Sequence, residues 1–307
     1  MRGALDAPFA DRLIARTREL GHPLCAGLDP DPALIPEPFR RGAMAPGAPE
    51  TAKAVGAFCR AYLERVAGRV AALKPQSAFF EALGWRGVKV LAEVMVAARA
   101  AGLLVVLDAK RGDIGSTAAG YAAAYLAEDA PLRADCLTVN PWLGLDALEP
   151  FVKTAEAAHA GLFVLTRTSN PGGRDFQELA PGGGEPVYHH VARALQPLAK
   201  RLAGETGWSG LGLVVGATTP EEARRVRDAA PSALFLVPGY GAQGASAQDA
   251  VASFVAGPGG RREGGIVNTA RGLHFPEAAR GGDVRAWERA VDAALDRAAS
   301  ELAEAVA

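Results

Sequence analysis

Two carboxylates and a lysine follow directly on an apolar run in residues 105–113. Asp108, Lys110 and Asp113 stand there at positions i, i+2 and i+5. Because buried charge is costly unless it is paired, acidic and basic groups at the end of a core strand usually have a function. The segment therefore predicts an active site in which side chains of opposite charge alternate.

Polar side chains also follow most of the other apolar runs. A lone Lys74 at a strand end is ordinarily a solvated residue, and a lone Asp29 before a proline is ordinarily a turn former. The Asp-x-Lys-x-x-Asp spacing occurs in structural ion-pair networks as well. Recurrence of such residues at equivalent strand ends favours a functional site over these readings. Its predicted charged members are Lys74, Asp108, Lys110 and Asp113.

The last two apolar runs lead into a candidate phosphate site. One is followed by the glycine-rich segment 238–244, which contains Gln243, and the other by residues 268–272, which contain Arg271. Backbone N–H groups of a glycine-rich turn approach an anion closely, and a guanidinium binds phosphate through two parallel hydrogen bonds. A surface salt bridge is the ordinary alternative for Arg271 alone. The polar residues around it favour the phosphate site.

Eight short apolar runs alternate with helical patterns along the whole chain. This alternation predicts a closed (β/α)8 barrel, formed by a single domain over residues 1–307, with its active site at the C-terminal ends of the strands. An open, doubly wound α/β sheet is the main alternative, because strand counts from one sequence are easily wrong by one or two. The predicted strands are 24–28, 71–75, 103–107, 136–139, 162–165, 211–215, 234–237 and 265–267.

Three local signals refine this architecture. Residues 8–20 predict an extra N-terminal helix that closes the floor of the barrel. The segment Thr219-Pro220-Glu221-Glu222 has the form of a capping box with proline at the first helical position. Residues 170–186 follow a strand, are rich in glycine and proline, and are long for such a connection, which predicts a lid.

Composition excludes several classes of protein. The 307 residues are 49% hydrophobic and carry a net charge of −1, which implies no general attraction to nucleic acid or to an acidic membrane. No run reaches the roughly 18 apolar residues of a spanning helix, and Asp6, Asp11 and Arg12 interrupt the N-terminal segment where a signal peptide would be apolar. We therefore expect a cytoplasmic protein. Three widely spaced cysteines predict buried free thiols: Cys25, Cys59 and Cys136.

With these residues in view, the chain resembles the orotidine 5′-phosphate decarboxylase family, in particular its longer bacterial members. The similarity extends from Gly27 to Gly272 and is strongest in residues 108–117. The other matching segments follow in the family's order: 74–75, 168–172, 238–244 and 268–272. This combination is specific, whereas the Asp-x-Lys-x-x-Asp spacing also occurs in related phosphosugar decarboxylases and synthases. The resemblance implies release of CO₂ from orotidine 5′-phosphate to give uridine 5′-phosphate in pyrimidine biosynthesis.

The resemblance also implies a role for each charged residue of the cluster. Lys110 is similar to the proton donor to C6 of the pyrimidine, and Asp108 to the carboxylate beside the departing group. Lys74 is similar to the residue that holds this carboxylate and contacts the ribose. Asp113, with Thr117 beside it, resembles the carboxylate that one subunit contributes to its neighbour's site. The family therefore implies a homodimer.

A second group of residues is implied to bind the substrate. Asp29 is similar to a residue that hydrogen-bonds the ribose. Ser169 resembles the residue that binds the pyrimidine ring, with the adjacent Thr168 as the alternative hydroxyl. The residues implied to hold the phosphate are Gln243, which also reaches the base, Arg271, and Ala270 through its amide.

Two other functions stay open at this point. A metal-dependent decarboxylase or aldol-type synthase of sugar phosphates would share the barrel and the Asp-x-Lys-x-x-Asp spacing, and would lose activity on chelation. A non-catalytic nucleotide sensor would bind the nucleotide without releasing CO₂, and Lys110 between two aspartates argues against it. Because the four charges neutralise one another and no His/Cys ligand spacing occurs, the sequence predicts neither a metal nor a cofactor.

Overall fold

Eight short parallel strands form the centre of the fold in the computed structural model, which describes residues 7–241, 243–279 and 282–307. Asp6 and Ala242, which the sequence motifs include, lie outside these residues. The barrel strands are β1 (Leu24–Leu28), β2 (Ala72–Pro75), β3 (Leu104–Arg111), β4 (Cys136–Val139), β5 (Gly161–Arg167), β6 (Ser209–Val215), β7 (Ala233–Val237) and β10 (Gly265–Thr269). They close in the order β1-β10-β7-β6-β5-β4-β3-β2. The predicted barrel is therefore confirmed, and the open sheet is wrong.

Helices surround the barrel and bury one apolar side against it. In the helix Pro49–Val66, the residues Val55, Phe58 and Tyr62 recur at helical spacing and are fully buried, as is Trp287 in the last helix. The helices of the described residues are α1 (Phe9–Leu20), α2 (Pro49–Val66), α3 (Ser77–Glu81), α4 (Trp85–Ala100), α5 (Gly115–Tyr125), α6 (Leu145–Ala157), α7 (Val187–Ala194), α8 (Gln196–Arg201), α9 (Pro220–Ala229), α10 (Ala247–Ala250), α11 (Arg271–His274) and α12 (Val284–Ala305). Two short antiparallel strands, β8 (Val255–Ala256) and β9 (Arg262–Glu263), lie outside the barrel.

Each predicted strand is present, and β3 differs most from its predicted bounds. It continues to Arg111, past its predicted end at Leu107, so that Asp108 and Lys110 lie within the strand. Its pairing with β4 shifts register between Leu107 and Arg111. This irregular segment is the point at which the strand turns charged side chains toward the barrel mouth.

The N-terminal helix closes the floor of the barrel, as predicted. Phe9 of α1 packs edge-to-face on Phe163, with 6.2 Å between ring centroids. A Cβ at Gly161 would lie 2.3 Å from the Phe9 ring, so only glycine fits there. Leu13 and Ile14 are fully buried among residues from the barrel interior. The opposite, C-terminal end of the barrel is thereby left for the polar side chains.

The predicted capping box at α9 is wrong, although the helix begins where expected. Thr219 occupies the N-cap position, but its side chain makes no capping hydrogen bond. Glu222 instead forms an ion pair with the buried guanidinium of Arg167. A hydrogen bond between charged groups is about twice as strong as a neutral one, so the arginine outcompetes the N-cap amide for this carboxylate.

The three cysteines are buried and free, as predicted. Burial raises the pKa of the Cys25 thiol to about 12, so this group stays protonated and unreactive. As to membrane insertion, none of the helices in the described residues combines the length and the apolar character that crossing a bilayer requires.

Candidate active site

Lys74, Asp108 and Lys110 meet at the C-terminal end of the barrel. Lys74 Nζ, at the end of β2, lies 2.8 Å from Asp108 Oδ2. Lys110 Nζ lies 2.5 Å from Asp108 Oδ1. Lys74 and Asp108 are buried, whereas 46% of the Lys110 side chain is exposed. The carboxylate thus separates a buried ammonium group from one that faces the open end of the barrel.

Gln76 and Thr138 complete the surroundings of Asp108. Gln76 Nε2 donates to Oδ2 over 3.0 Å, and Thr138 Oγ1 donates to Oδ1 over 3.0 Å. Together with the two ammonium groups, these donors fill the roughly four lone-pair sites of a carboxylate. Asp108 is therefore stabilised as an anion, and all of its acceptor sites are occupied.

Sequence reasoning assigned no role to Gln76 or Thr138. Gln76 follows a predicted strand end, which is a usable signal. Thr138 lies in a four-residue strand whose members are all buried, and nothing in that run distinguishes a functional hydroxyl from an ordinary β-branched core residue.

Charge pairing outweighs burial at both buried members of the cluster. Burial disfavours the carboxylate of Asp108, but Lys74 and Lys110 hold its pKa well below the ordinary value. Burial likewise disfavours the ammonium of Lys74, but the carboxylates of Asp108 and Asp29 raise its pKa above the ordinary value. Both groups therefore carry their charges at neutral pH.

Asp29 and Asn268 each have a buried side-chain oxygen without a hydrogen-bond donor among the described residues. The Oδ1 atom of each is buried and accepts no hydrogen bond from any residue that the structure describes. Burial raises the pKa of Asp29, and the positive charge of Lys74 opposes this shift. An unsatisfied buried acceptor costs about 1–3 kcal/mol. A ligand hydroxyl that donates to Asp29 would remove that cost.

The side chains predicted to bind the phosphate have no hydrogen-bond or ion-pair partner among the described residues. Arg271 begins α11, and its guanidinium forms no ion pair or hydrogen bond within residues 7–241, 243–279 and 282–307. Ala270 precedes it and approaches β1 so closely that a Cβ at Gly27 would lie 2.5 Å from the Ala270 Cβ. The side-chain oxygen of Gln243 lies over Gly239, 3.3 Å from the place of an added Cβ. The glycine, with φ of +108°, lets this loop fold back.

Ser169, rather than Thr168, has the free hydroxyl. Thr168 Oγ1 donates to Asn170 Oδ1 over 2.6 Å and accepts from Gln177 Nε2 over 2.9 Å. The backbone of Ser169 packs on Gly216, where an added Cβ would lie 2.7 Å from the Ser169 Cα. Its hydroxyl forms no hydrogen bond with the described part of the chain, so it is available to a ligand.

The predicted lid, residues 170–186, is held at its middle. Arg167, buried at the end of β5, forms an ion pair with Glu178 at 2.6 Å and donates to the carbonyl oxygen of Thr168 at 2.8 Å. Two short 3₁₀ turns, Pro171–Asp175 and Pro181–Gly183, flank this anchor. Movement of the loop stays a prediction.

Asp113 and Thr117 stand apart from the cluster within one chain. The Asp113 carboxylate accepts from the Ile114 amide over 2.8 Å and forms no ion pair with the residues that the structure describes. Thr117 is exposed on α5. Of the four predicted charges, the structure of one chain therefore brings three together.

Comparison with known proteins gives a consistent family. The profile of the orotidine 5′-phosphate decarboxylase / HUMPS family matches residues 22–274. A relative from Rhodopirellula baltica named orotidine 5′-phosphate decarboxylase is 42% identical over 294 residues, which cover 93% of this chain and 96% of the relative. A relative of the same name from Streptomyces coelicolor is 43% identical over 301 residues, which cover 97% of this chain and 98% of the relative.

A solved structure extends this similarity to the fold. The crystal structure of a candidate orotidine 5′-phosphate decarboxylase from Streptomyces avermitilis superposes with a TM-score of 0.80 at 38% sequence identity, covering 100% of this chain and 98% of that one. The matched region includes every strand of the barrel and each member of the charged cluster. This chain thus belongs to the orotidine 5′-phosphate decarboxylase / HUMPS family.

Proposed function

We propose that this chain releases CO₂ from orotidine 5′-phosphate to form uridine 5′-phosphate, with Lys110 as the proton donor and without a cofactor. Decarboxylation of this substrate is the activity named for the relatives that share 42–43% of its residues. The single observation that carries the mechanism is the Lys74–Asp108–Lys110 cluster, in which a fixed carboxylate holds an ammonium group at the barrel mouth.

The reaction requires stabilisation of a carbanion. When the bond between C6 and the carboxylate carbon breaks, CO₂ leaves and the electron pair stays on C6, where the ring delocalises it poorly. A preorganised ammonium beside C6 stabilises that charge and then supplies the proton. Lys110 meets both needs because its Nζ is fixed by Asp108 and its side chain is half-exposed at the open end. Solvent then returns the proton to Lys110.

Asp108 acts through its permanent charge. Four donors saturate the carboxylate, and its pKa is held well below the ordinary value, so it neither takes nor gives a proton near neutral pH. The charge holds Lys110 in place and faces the position assigned to the substrate carboxylate. Repulsion between the two carboxylates is a secondary contribution, since electrostatic stabilisation of the transition state is usually the larger effect.

The remaining predicted residues bind the parts of the substrate that do not react. The unsatisfied carboxylate oxygen of Asp29 fits a ribose hydroxyl, and the free hydroxyl of Ser169 fits a polar edge of the base. Arg271, Gln243 and the Ala270 amide are proposed to hold the phosphate. Binding energy from this remote group helps to organise the site for the transition state.

Replacing Arg271 by alanine should weaken substrate binding before it affects the chemical step. We expect KM to rise about tenfold to a hundredfold, because a hydrogen bond to a charged group contributes roughly 1.5–3 kcal/mol. The fall in kcat should be smaller. Steady-state kinetics with orotidine 5′-phosphate would measure both, with Arg16→Ala, on α1 at the opposite end of the barrel, as the control. An unchanged KM would exclude Arg271 from the phosphate site.

The metal-dependent alternative has less support. The family also includes HUMPS proteins, but both relatives described above are named decarboxylases of orotidine 5′-phosphate. In the part of the chain that the structure describes, no cluster of three or more His, Cys, Asp or Glu side chains is arranged to hold a metal ion. Both lysine-bound oxygens of Asp108 are occupied. Loss of activity with EDTA would support the alternative.

We further propose that the active form is a homodimer to which each subunit contributes Asp113. Three observations support this. The carboxylate has no cationic partner among the described residues of its own chain. Helix α5, which follows it, contains no charged residue and exposes small ones, including Ala119 and Ala123. Ile114 and Trp142 are large apolar residues, 59% and 72% exposed, which suits an interface core.

Mixing two inactive variants tests this arrangement. Lys110→Ala retains Asp113, and Asp113→Asn retains Lys110, so a mixed dimer has one complete site only if Asp113 acts in the neighbouring subunit. Random reassociation should restore about a quarter of wild-type activity, since half of the dimers are mixed and one of their two sites is intact. Variants mixed without dissociation serve as the control. No recovery would place Asp113 in its own subunit's site, and full activity of Asp113→Asn alone would place it outside the reaction.

The three free cysteines support a location in a reducing compartment. We therefore propose a cytoplasmic enzyme that contributes to pyrimidine biosynthesis.

A further inference from the structure

Thr138 makes three hydrogen bonds to the segment that carries Asp108 and Lys110. Its Oγ1 accepts from the Ala109 amide over 2.9 Å and from the Lys110 amide over 2.8 Å. The same oxygen donates to Asp108 Oδ1 over 3.0 Å. Thr138 is 1% exposed, so water does not compete for these bonds.

The segment needs such a partner because the regular ladder between β3 and β4 fails there. Leu107 pairs with Leu137, and Arg111 pairs with Val139, so three residues of β3 lie opposite Thr138 alone. Lys110 adopts a φ of +47° within this irregular stretch. A non-glycine residue in the left-handed region is strained and persists only where its surroundings hold it. The hydroxyl of Thr138 takes the place of the missing backbone acceptors.

The chemistry of a hydroxyl fixes the direction of its proton. An alcohol oxygen has one O–H donor and two acceptor lone pairs. Both lone pairs are used by the amides of Ala109 and Lys110, so the single proton must point to Asp108 Oδ1. This is the oxygen that also holds Lys110 Nζ. One side chain therefore sets both the backbone from which Lys110 projects and the carboxylate that its ammonium group contacts.

We propose that Thr138 is a positioning residue for the decarboxylation, acting through Lys110 and Asp108 without touching the substrate. This inference rests on the proposed function of the site. When the hydroxyl is removed, two buried amides lose their acceptor and the left-handed conformation of Lys110 loses its support. The ammonium group then leaves its place beside the reacting carbon. The residues proposed to bind ribose and phosphate lie on other strands and keep their positions.

The test compares Thr138→Val, which keeps the shape and removes the hydroxyl, with Thr138→Ser, which keeps the hydroxyl. We expect Thr138→Val to lower kcat about a hundredfold or more with little change in KM, because a misplacement of about 1 Å can cost that much. Thr138→Ser should recover most of kcat. Thr166→Val is the matched control, since Thr166 is buried on the neighbouring strand β5 and its hydroxyl donates to the carbonyl oxygen of Val164, its one partner among the described residues.

Several outcomes would overturn the proposal. These are a kcat of Thr138→Val close to wild type, a serine variant no better than valine, or an equal loss of kcat in Thr166→Val. If Thr138→Val does not fold, Thr138→Cys replaces it, because a thiol is a weak donor and acceptor of similar size. An equal kcat for the cysteine and serine variants would then contradict the proposal. Absence of CO₂ release by the wild-type protein would instead contradict the proposed function of the site, whatever the variants of Thr138 do.

Discussion

Lys110→Ala should lower kcat for orotidine 5′-phosphate by roughly 10⁴-fold or more. Two effects of the ammonium group are removed together, namely stabilisation of charge at C6 and donation of the proton, each of which contributes about 10²-fold or more. The structure allows both, because Lys110 Nζ is fixed 2.5 Å from Asp108 Oδ1 and its side chain reaches the barrel mouth. Loss of orotate absorbance over time measures the rate.

Binding of uridine 5′-phosphate separates this effect from general damage. Affinity of Lys110→Ala for this product should fall far less than kcat, since the proposed phosphate and ribose contacts involve Arg271 and Asp29. Lys89→Ala, at an exposed position of α4, controls for loss of a lysine charge and should behave as wild type. Near-normal turnover by Lys110→Ala would make the mechanism wrong. Retained binding with no CO₂ release by wild type would establish a nucleotide sensor instead.

Asp108→Asn should abolish turnover and also destabilise the fold. The amide cannot accept from four donors, so the buried ammonium of Lys74 loses the partner at 2.8 Å that offsets its burial. Breaking a buried ion pair by removing one partner costs about 3–5 kcal/mol. Urea unfolding at pH 7 would measure the loss, with the exposed Asp228→Asn on α9 as the control. An unchanged unfolding midpoint would contradict the role of Asp108 as the partner of Lys74.

The destabilisation by Asp108→Asn should depend on pH in a defined direction. In the folded wild type the pKa of Asp108 lies below the ordinary value of 3.8, so its stabilising contribution is present above about pH 4 and is lost as the pH falls through the folded pKa. The folded pKa of Lys74 lies above 10.5, so its contribution is fully present below about pH 10. The difference in the free energy of unfolding between wild type and Asp108→Asn should thus be largest near neutral pH and should decrease in acid. A difference that widens below pH 4 would contradict this assignment.

The barrel was predictable because its signals are local. Short apolar runs bounded by turn residues predict buried strands, and their alternation with amphipathic segments predicts parallel pairing through helical crossovers. The same logic correctly placed Lys74, Asp108 and Lys110 at one end of the barrel. It failed at Thr219, because the partner that draws Glu222 away from the N-cap, Arg167, is distant in sequence.

The polar details of the site were less predictable for the same reason. Thr138 is indistinguishable from a core residue in a four-residue strand, and its role follows only from the register shift opposite it. The separation of Asp113 from the cluster likewise depends on how the chain turns after β3. The residue spacing predicted four charges together, whereas one chain assembles three.

What the sequence by itself determined is therefore the barrel, the residue types at its mouth and the family to which they belong. These depend on periodicity and on motifs that are contiguous in the chain. Only the tertiary structure decided that Asp108 is saturated by four donors, that Lys110 projects from a left-handed backbone and that Thr138 supports both. Hydrogen bonds between side chains of different strands require a donor–acceptor distance correct to a few tenths of an ångström and a suitable angle. The register of the strands sets both, and no local pattern of residues encodes that register.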